Sequence, residues 1–143
     1  MTEDRVFRVR IDAPPEAAWA ALTDPAQTSE WYFGSQLRTT WQVGSPIEYY
    51  SGGKLQITGM LITYDPPRSF THEFIAVWNG HREDQGSLTW TVEPDGEGCT
   101  VMLRHSGAHG QETADGSQHI IGALKRYLES SQRVAAVPIR KRA

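Results

Sequence analysis

The sequence predicts an α+β fold in which an antiparallel sheet packs around one long helix at the C-terminal end. A short strand near the start leads into helix-forming residues rather than into a second strand. The middle of the chain alternates apolar and polar residues with a period of two, and the closing stretch QHIIGALKRYLES carries apolar residues at helical spacing. Because a sheet that grips one helix commonly leaves space beside it, we expect a cavity between the two.

The first strand is predicted around Val6, Val9 and Ile11, which alternate with arginines, although Phe7 interrupts the strict pattern. Two short helices are expected to follow. The segment Ala-Pro-Pro-Glu favours the first turn of one helix, since proline fits there and an acidic residue suits the helix dipole. Asp24 is expected to cap the second helix, because its side chain can accept a hydrogen bond from a free amide of the first turn.

Six further strands are predicted where the period changes to two. They cover residues 36–42, 46–51, 55–64, 69–78, 86–94 and 99–106. Glycine, proline, asparagine and aspartate stand in the breaks, and residues 95–98 are expected to form a tight hairpin. In each strand the more apolar face is expected to meet the helix.

The last helix is predicted over residues 113–132, because Ile121, Leu124 and Leu128 form one apolar stripe. We therefore expect a single domain over residues 1–132. Residues 133–143 are basic and are expected to form a flexible tail.

Size and composition limit the class of protein. The 143 residues suffice for one domain with a substantial core. The single cysteine, Cys99, excludes an intrachain disulfide. No apolar run approaches the ~20 residues of a membrane span, and the start is not typical of a secretion signal. These features predict a cytoplasmic protein without membrane insertion.

The charge argues against a nucleic-acid partner. The net charge is −3, and it falls to about −7 for the body once the four basic residues of the tail are left out. An acidic body repels the phosphate backbone. We therefore expect no nucleic acid among the partners.

Four segments carry a resemblance to a known family: VFRVRIDAPPEAAWAALTDPAQTSEWY, GMLITYDPPRSFTHEF, TVMLRHSGAH and GALKRYLES. In this order and spacing they resemble the SRPBCC superfamily (START-like, birch-pollen-allergen-like), and more closely its subgroup of homologues of the activator of heat-shock-chaperone ATPase. The resemblance covers residues 5–131. It implies a START-like helix-grip fold, with a curved antiparallel sheet of six to seven strands wrapped around the long C-terminal helix and two short helices after the first strand.

One departure from the family concerns the cavity. Gly116-Ser117 stands where the family often has Gly-Trp at the start of the last helix. A bulky residue that would cover the pocket is therefore missing. Either the pocket mouth is wider here, or Trp78 or Trp31 fills the gap.

Large aromatic side chains are numerous for a domain of this size, and they are the main candidates for a ligand-binding site. The predicted lining residues are Trp31, Tyr49, His72, Phe74, Trp78, Trp90, His105 and Ile121. The alternative is that the same rings fill the space between sheet and helix as ordinary core, a role expected above all for Phe70 and Leu88.

His72 and His105 are the polar residues of most interest, because both fall on predicted inner faces. An inward histidine can orient a ligand or act as a general base near neutral pH. More often it is a core residue bonded to a backbone carbonyl or a hydroxyl. We therefore assign no catalytic residue and keep these two as weak candidates.

No cofactor or metal ion is expected. His105, His109 and His119 supply a ligand type that zinc accepts, but their spacing matches no metal motif. The chain also lacks a phosphate-binding glycine loop, a dinucleotide fingerprint and a Gly-x-Ser-x-Gly segment.

Three functions remain open. The first is binding of a small hydrophobic molecule, such as a lipid, an aromatic compound or a polyketide-like compound, in the cavity. The second is a cyclase, aromatase or hydrolase that uses the same cavity. The third and least favoured is a co-chaperone-like interaction module, because the further domain of a full chaperone activator has no room in this chain. A homodimer is compatible with each of them.

Overall fold

A computed structural model describes residues 4–78, 80–107 and 111–136. Within these residues, seven strands form one antiparallel sheet in the order β1-β7-β6-β5-β4-β3-β2. The elements are β1 (Arg5–Ile11), α1 (Pro15–Thr23), α2 (Pro25–Trp31), β2 (Gln36–Thr39), β3 (Pro46–Ser51), β4 (Lys54–Asp65), β5 (Ser69–Ala76), β6 (Glu83–Asp95), β7 (Gly98–Ser106) and α3 (Gln111–Ala136). The predicted α+β helix-grip fold is confirmed, with its two short helices after the first strand.

The strand boundaries differ from the prediction mainly at β2 and β6. β2 ends at Thr39 rather than at residue 42, and Trp41 adopts a positive φ of 62°, which ends extended pairing. β6 begins at Glu83, three residues earlier than predicted. The hairpin is present as predicted, since Asp95 pairs with Gly98 across the turn.

β1 shows which apolar residues belong to the core. Phe7, Val9 and Ile11 face inward, whereas Val6 is 49% exposed. Successive side chains of a strand point to opposite faces, so residues 7, 9 and 11 share one face. Phe7 therefore belongs to the core face, and Val6 lies on the opposite side.

Two short helices close one end of the sheet. α1 buries Ala18, Ala21 and Leu22, and its Trp19 packs edge-on against the ring of Phe70 with centroids 5.8 Å apart. Asp24 caps α2 as predicted, with its Oδ1 accepting a hydrogen bond of 3.0 Å from the Ala26 amide.

α3 packs against β1, β7 and both short helices. Its buried apolar residues are Ile120, Ile121, Leu124 and Leu128. The C-terminal half is tied to the end of β1, since Lys125 Nζ donates to the Arg10 carbonyl oxygen at 2.7 Å and the Asp12 amide donates to the Glu129 carboxylate at 3.0 Å. These contacts fix the helix at that end, and its other half borders the cavity described below.

α3 is longer than predicted. It begins two residues before residue 113 and continues to Ala136, four residues beyond the predicted end. The expected tail over 133–143 therefore starts within the helix, and residues 137–143 lie outside the described residues. None of the helices in the described part of the chain is long and apolar enough to cross a membrane.

Candidate ligand-binding cavity

A cavity of about 350 Å³ lies between the sheet and the N-terminal half of α3. This volume is at the lower end of the ~300–1,000 Å³ that is typical of small-molecule sites. The lining residues are Tyr32, Phe33, Ser35, Ser51, Gln56, Ile57, Phe74, Trp78, Leu88, Leu103, Gly116, Ser117 and Ile120. The predicted space between sheet and helix is therefore present.

Four parts of the fold supply most of these residues. The central strands β5, β6 and β7 contribute Phe74, Leu88 and Leu103, each at an inward position of its alternating pattern. Other walls come from the β3–β4 hairpin, from the segment 32–35 after α2 and from the segment 116–120 of α3. Leu88, expected as ordinary core, thus lines the cavity.

The walls are uncharged among the described residues. The polar groups of the lining come from three serines, Gln56, the Tyr32 hydroxyl and the Trp78 indole N–H, and the rest of the lining is aromatic, aliphatic or glycine. Burial raises the pKa of Tyr32, so this residue stays a neutral phenol. Such a lining favours a neutral, mainly apolar occupant, because an ion would lose its hydration without gaining a partner.

His105 lies directly behind the cavity wall. Its ring is fully buried on β7, and its Nδ1 lies 3.4 Å from the Oγ of Ser117 on α3. Its Nε2 contacts the backbone carbonyl oxygen of Gln85 on β6. Because a carbonyl can only accept, Nε2 carries the proton in this contact. The arrangement forms a chain from the β6 backbone through His105 to a hydroxyl at the cavity surface.

Gly86 allows β6 to approach β7 closely beside this contact. Its φ is +84°, and a Cβ built there would lie 1.9 Å from the Ser106 carbonyl oxygen. The pairing of β5 with β6 shifts register at this point, between Glu73 and Ile75. The irregularity therefore requires glycine at 86, next to the carbonyl that orients His105.

His72 is buried between two aromatic rings and is not part of the cavity lining. Its Nδ1 donates to the Glu73 carbonyl oxygen at 2.7 Å, and Nε2 has no hydrogen-bond partner among the described residues. The rings of Tyr49 and Phe70 lie 5.8 and 6.2 Å from it. Burial lowers the pKa of His72 to about 4, aided by the charge of His105 and opposed by the backbone hydrogen bond.

The eight predicted ligand-binding residues take three kinds of position. Phe74 and Trp78 line the cavity, with ring centroids 6.0 Å apart. His105 does not line the cavity, but it contacts two residues that do, Ser117 and Phe74. The other five residues, which do not line this cavity, are Trp31, Tyr49, His72, Trp90 and Ile121. Contact of these residues with a ligand stays a prediction.

Aromatic packing explains why several of the predicted residues lie away from the cavity. Trp31 donates its Nε1 hydrogen to the Ala21 carbonyl oxygen at 3.0 Å and meets Trp90 edge-on with centroids 5.9 Å apart. Tyr32 stacks on Tyr49 at 4.8 Å. These rings pack against one another, so side chains fill part of the space between the sheet and the helices.

Phe33 meets the N-terminal half of α3 at a solvent-exposed side of the cavity, which is called its mouth below. Phe33 is 58% exposed, has a φ of +50° and stacks on His119 with ring centroids 5.5 Å apart. Ser117 supplies only a small side chain to the wall. Of the two tryptophans considered as replacements, Trp78 lines the cavity and Trp31 does not.

Sequence reasoning missed several lining residues. Leu103 shares the predicted inner face of its strand with His105, so the alternating pattern already indicated that Leu103 points inward. Phe33, Ser35 and Ser51 lie at or beyond element ends, where no periodicity indicates the direction of a side chain.

A family model described as activator of Hsp90 ATPase homolog 1-like protein matches residues 12–129. The chain belongs to this family. The resemblance to the SRPBCC superfamily and to its chaperone-activator subgroup is thereby confirmed. No curated protein matches the chain.

Solved structures show the same fold at low identity. CalU16 from Micromonospora echinospora is 20% identical with a TM-score of 0.70, covering 93% of this chain and 81% of that one. The Aha1 dimer from Colwellia psychrerythraea is 19% identical with a TM-score of 0.68, covering 90% and 97%. DynU16, from the dynemicin biosynthetic locus, is 22% identical with a TM-score of 0.74, covering 92% of this chain but 49% of its own. For this family member, these matches establish the fold.

Proposed function

We propose that this protein binds a small, neutral, mainly apolar molecule in the cavity between its sheet and α3. The observation that carries the proposal is the cavity of about 350 Å³ with uncharged, largely apolar described walls. A lipid-like, aromatic or polyketide-like compound fits that chemistry. One neighbour of the same fold, DynU16, belongs to a biosynthetic locus, so biosynthetic intermediates are included among the compounds to test.

The energetic basis is burial of apolar surface. Each Å² of apolar ligand surface removed from water contributes roughly 25 cal/mol. Phe74 and Trp78 offer flat, polarisable surfaces for an aromatic ligand, and Leu88 and Leu103 offer aliphatic ones. The described serines and Gln56 supply the few polar groups that fix orientation.

The first test is native mass spectrometry of the protein purified from its own host, followed by denaturing extraction. A bound small molecule, present at one per chain, is the expected result. In parallel, the ligand-free protein is titrated with the neutral fluorescent probe N-phenylnaphthylamine. Saturable binding of one probe per chain supports the proposal, and absence of both a co-purified molecule and saturable probe binding would overturn it.

One observation favours an enzyme as the second candidate. A hydroxyl at the cavity surface lies within reach of a buried imidazole, as a proton-transfer site requires, although the 3.4 Å between His105 Nδ1 and Ser117 Oγ is long. His72 contacts no hydroxyl of the cavity lining through a hydrogen bond among the described residues, and it does not line the cavity itself. If the protein is a cyclase, aromatase or hydrolase, His105→Gln should abolish turnover of the co-purified compound while its binding persists.

The interaction partners expected from the sequence remain proposals. The Colwellia relative is described as a dimer, which supports testing this chain for a homodimer by analytical ultracentrifugation. A chaperone partner is supported by the family name and by exposed Val43, Met60 and Ile62. Stimulation of a chaperone ATPase by the purified protein, lost on replacing these three residues by serine, would establish that function.

A further inference from the structure

We infer that the cavity selects ligands that carry a hydrogen-bond donor, such as a phenolic or alcoholic hydroxyl, and that the oxygen of Ser117 accepts this hydrogen bond. The inference rests on the proposed ligand-binding function and deepens it. It follows from the direction of the hydrogen bonds in the chain from Gln85 through His105 to Ser117.

The direction is fixed at the backbone end. The Gln85 carbonyl oxygen has no proton to give, so His105 Nε2 is the donor in their contact. In a neutral imidazole the other nitrogen is then a bare acceptor. The binding test below is made at pH 8, where an ordinary histidine is neutral. Nδ1 therefore accepts from the hydroxyl hydrogen of Ser117, whose Oγ lies 3.4 Å away.

This assignment leaves Ser117 with only one kind of bonding capacity toward the cavity. A serine hydroxyl has one hydrogen and two lone pairs. With the hydrogen directed at His105, the lone pairs face the ligand space, since Ser117 is buried and lines the cavity. A ligand oxygen that can only accept hydrogen bonds would face these lone pairs, and no hydrogen bond could form between the two oxygens. A ligand O–H or N–H would satisfy them.

The apolar surroundings make this preference large enough to measure. Leu103 and Ile120 line the same cavity as Ser117, so a mismatched polar atom has few other partners there. A buried polar group left without a partner costs more than a formed bond contributes, which is why such sites discriminate strongly.

The test compares β-naphthol with its methyl ether, which has the same ring and oxygen but no donor. Both are measured by displacement of N-phenylnaphthylamine at pH 8, where an ordinary histidine is neutral. The ratio of the two dissociation constants is determined for the wild type and for Ser117→Ala. Dividing one ratio by the other removes the difference in hydrophobicity between the ligands.

We expect the wild type to prefer β-naphthol about tenfold more strongly than Ser117→Ala does, the size of one good hydrogen bond. Equal ratios in the two proteins, or a stronger preference for the ether in the wild type, would overturn the inference and leave ligand binding intact. If neither compound nor the probe binds the wild type, the proposed function itself fails, and the two failures are thus distinguishable. Ser117→Ala removes a single oxygen, and matching circular dichroism spectra confirm that it is folded.

Discussion

The ring of Phe33 stacks on the ring of His119 with centroids 5.5 Å apart and planes 11° from parallel. This contact joins the segment after α2 to the N-terminal half of α3, close to Ser117 in the chain. Phe33 both lines the cavity and is largely exposed. It is therefore placed to cover the mouth without contributing much to the core.

Replacing Phe33 by alanine should accelerate ligand release with little effect on stability. The side chain is more than half exposed, so the free energy of unfolding should change by less than about 1 kcal/mol. Stopped-flow dissociation of N-phenylnaphthylamine should become several-fold faster, because the covering ring is gone. Val43→Ala serves as control, since Val43 is an exposed apolar residue outside the cavity lining. Equal release rates in the two variants would show that Phe33 does not cover the mouth.

Introducing a large ring at residue 117 should block the cavity. Ser117→Trp places an indole where a small hydroxyl lines a space of about 350 Å³. We expect the affinity for N-phenylnaphthylamine to fall about tenfold or more, which corresponds to 1.4 kcal/mol of lost binding free energy. The matched control is Gln118→Trp on the adjacent, exposed position of the same helix. The prediction is wrong if both variants bind the probe as the wild type does.

Gly86→Ala should destabilise the protein much more than Gly80→Ala. Both glycines have a φ near +85°, so both substitutions carry the conformational strain of a side chain in that region. At residue 80 nothing lies within 4 Å of the added Cβ, and a loss of about 1–2 kcal/mol is expected. At residue 86 the Cβ would also meet the Ser106 carbonyl oxygen at 1.9 Å, and a loss of about 3 kcal/mol or more is expected.

Urea unfolding of the two glycine variants at the same pH provides the measurement. The difference between their unfolding free energies isolates the steric contact, since the backbone conformations match. If Gly86→Ala and Gly80→Ala lower the unfolding free energy by similar amounts, β6 and β7 can move apart beside His105 without an energetic penalty.

His72 should make the protein less stable as the pH falls from 6.5 to 4. In the unfolded chain His72 takes up a proton near the ordinary histidine pKa of 6.5, whereas in the folded protein its pKa is about 4. The unfolded state therefore binds more protons in this interval. The stability that neutral His72 contributes to the folded state is fully present above pH 6.5, and roughly 3 kcal/mol of this unfolding free energy is lost by pH 4.

His72→Asn should flatten this part of the stability profile. An amide can still donate to the Glu73 carbonyl oxygen but does not titrate. The readout is the difference between the two proteins in urea unfolding free energy at each pH, which cancels the titration of the carboxylates. Among the described residues, His105 acts electrostatically on His72 and the Tyr49 ring contacts it, and both residues remain in the variant. Parallel profiles would contradict the assigned cause.

The strands and helices were predictable because their signals are local. Alternation in β5 placed His72 and Phe74 on one inward face, and the helical stripe placed Leu124 and Leu128 in the core. The cap at Asp24 and the 95–98 hairpin depend on residues that are neighbours in sequence. The resemblance to the family, carried by the order of these segments, then supplied the topology.

The cavity lining was less predictable for a definite reason. Trp31 and Trp90 belong to the same inward, aromatic class as Phe74 and Trp78, yet they pack against each other while the latter pair borders the space. Periodicity reports which face of an element is buried, but not whether the space it faces is filled. That depends on how side chains from distant elements interlock.

The sequence by itself determined the order of elements, their inward faces, the acidic body and the small residue at 117. Tertiary structure alone decided that Phe33 and His119 meet, that Ser117 contacts His105, and that the Gln85 carbonyl fixes the direction of their hydrogen bond. The physical reason is that these contacts join residues 12 to 86 positions apart in the chain. Such contacts depend on how sheet and helix pack together, whereas each element follows from the pattern within its own few residues.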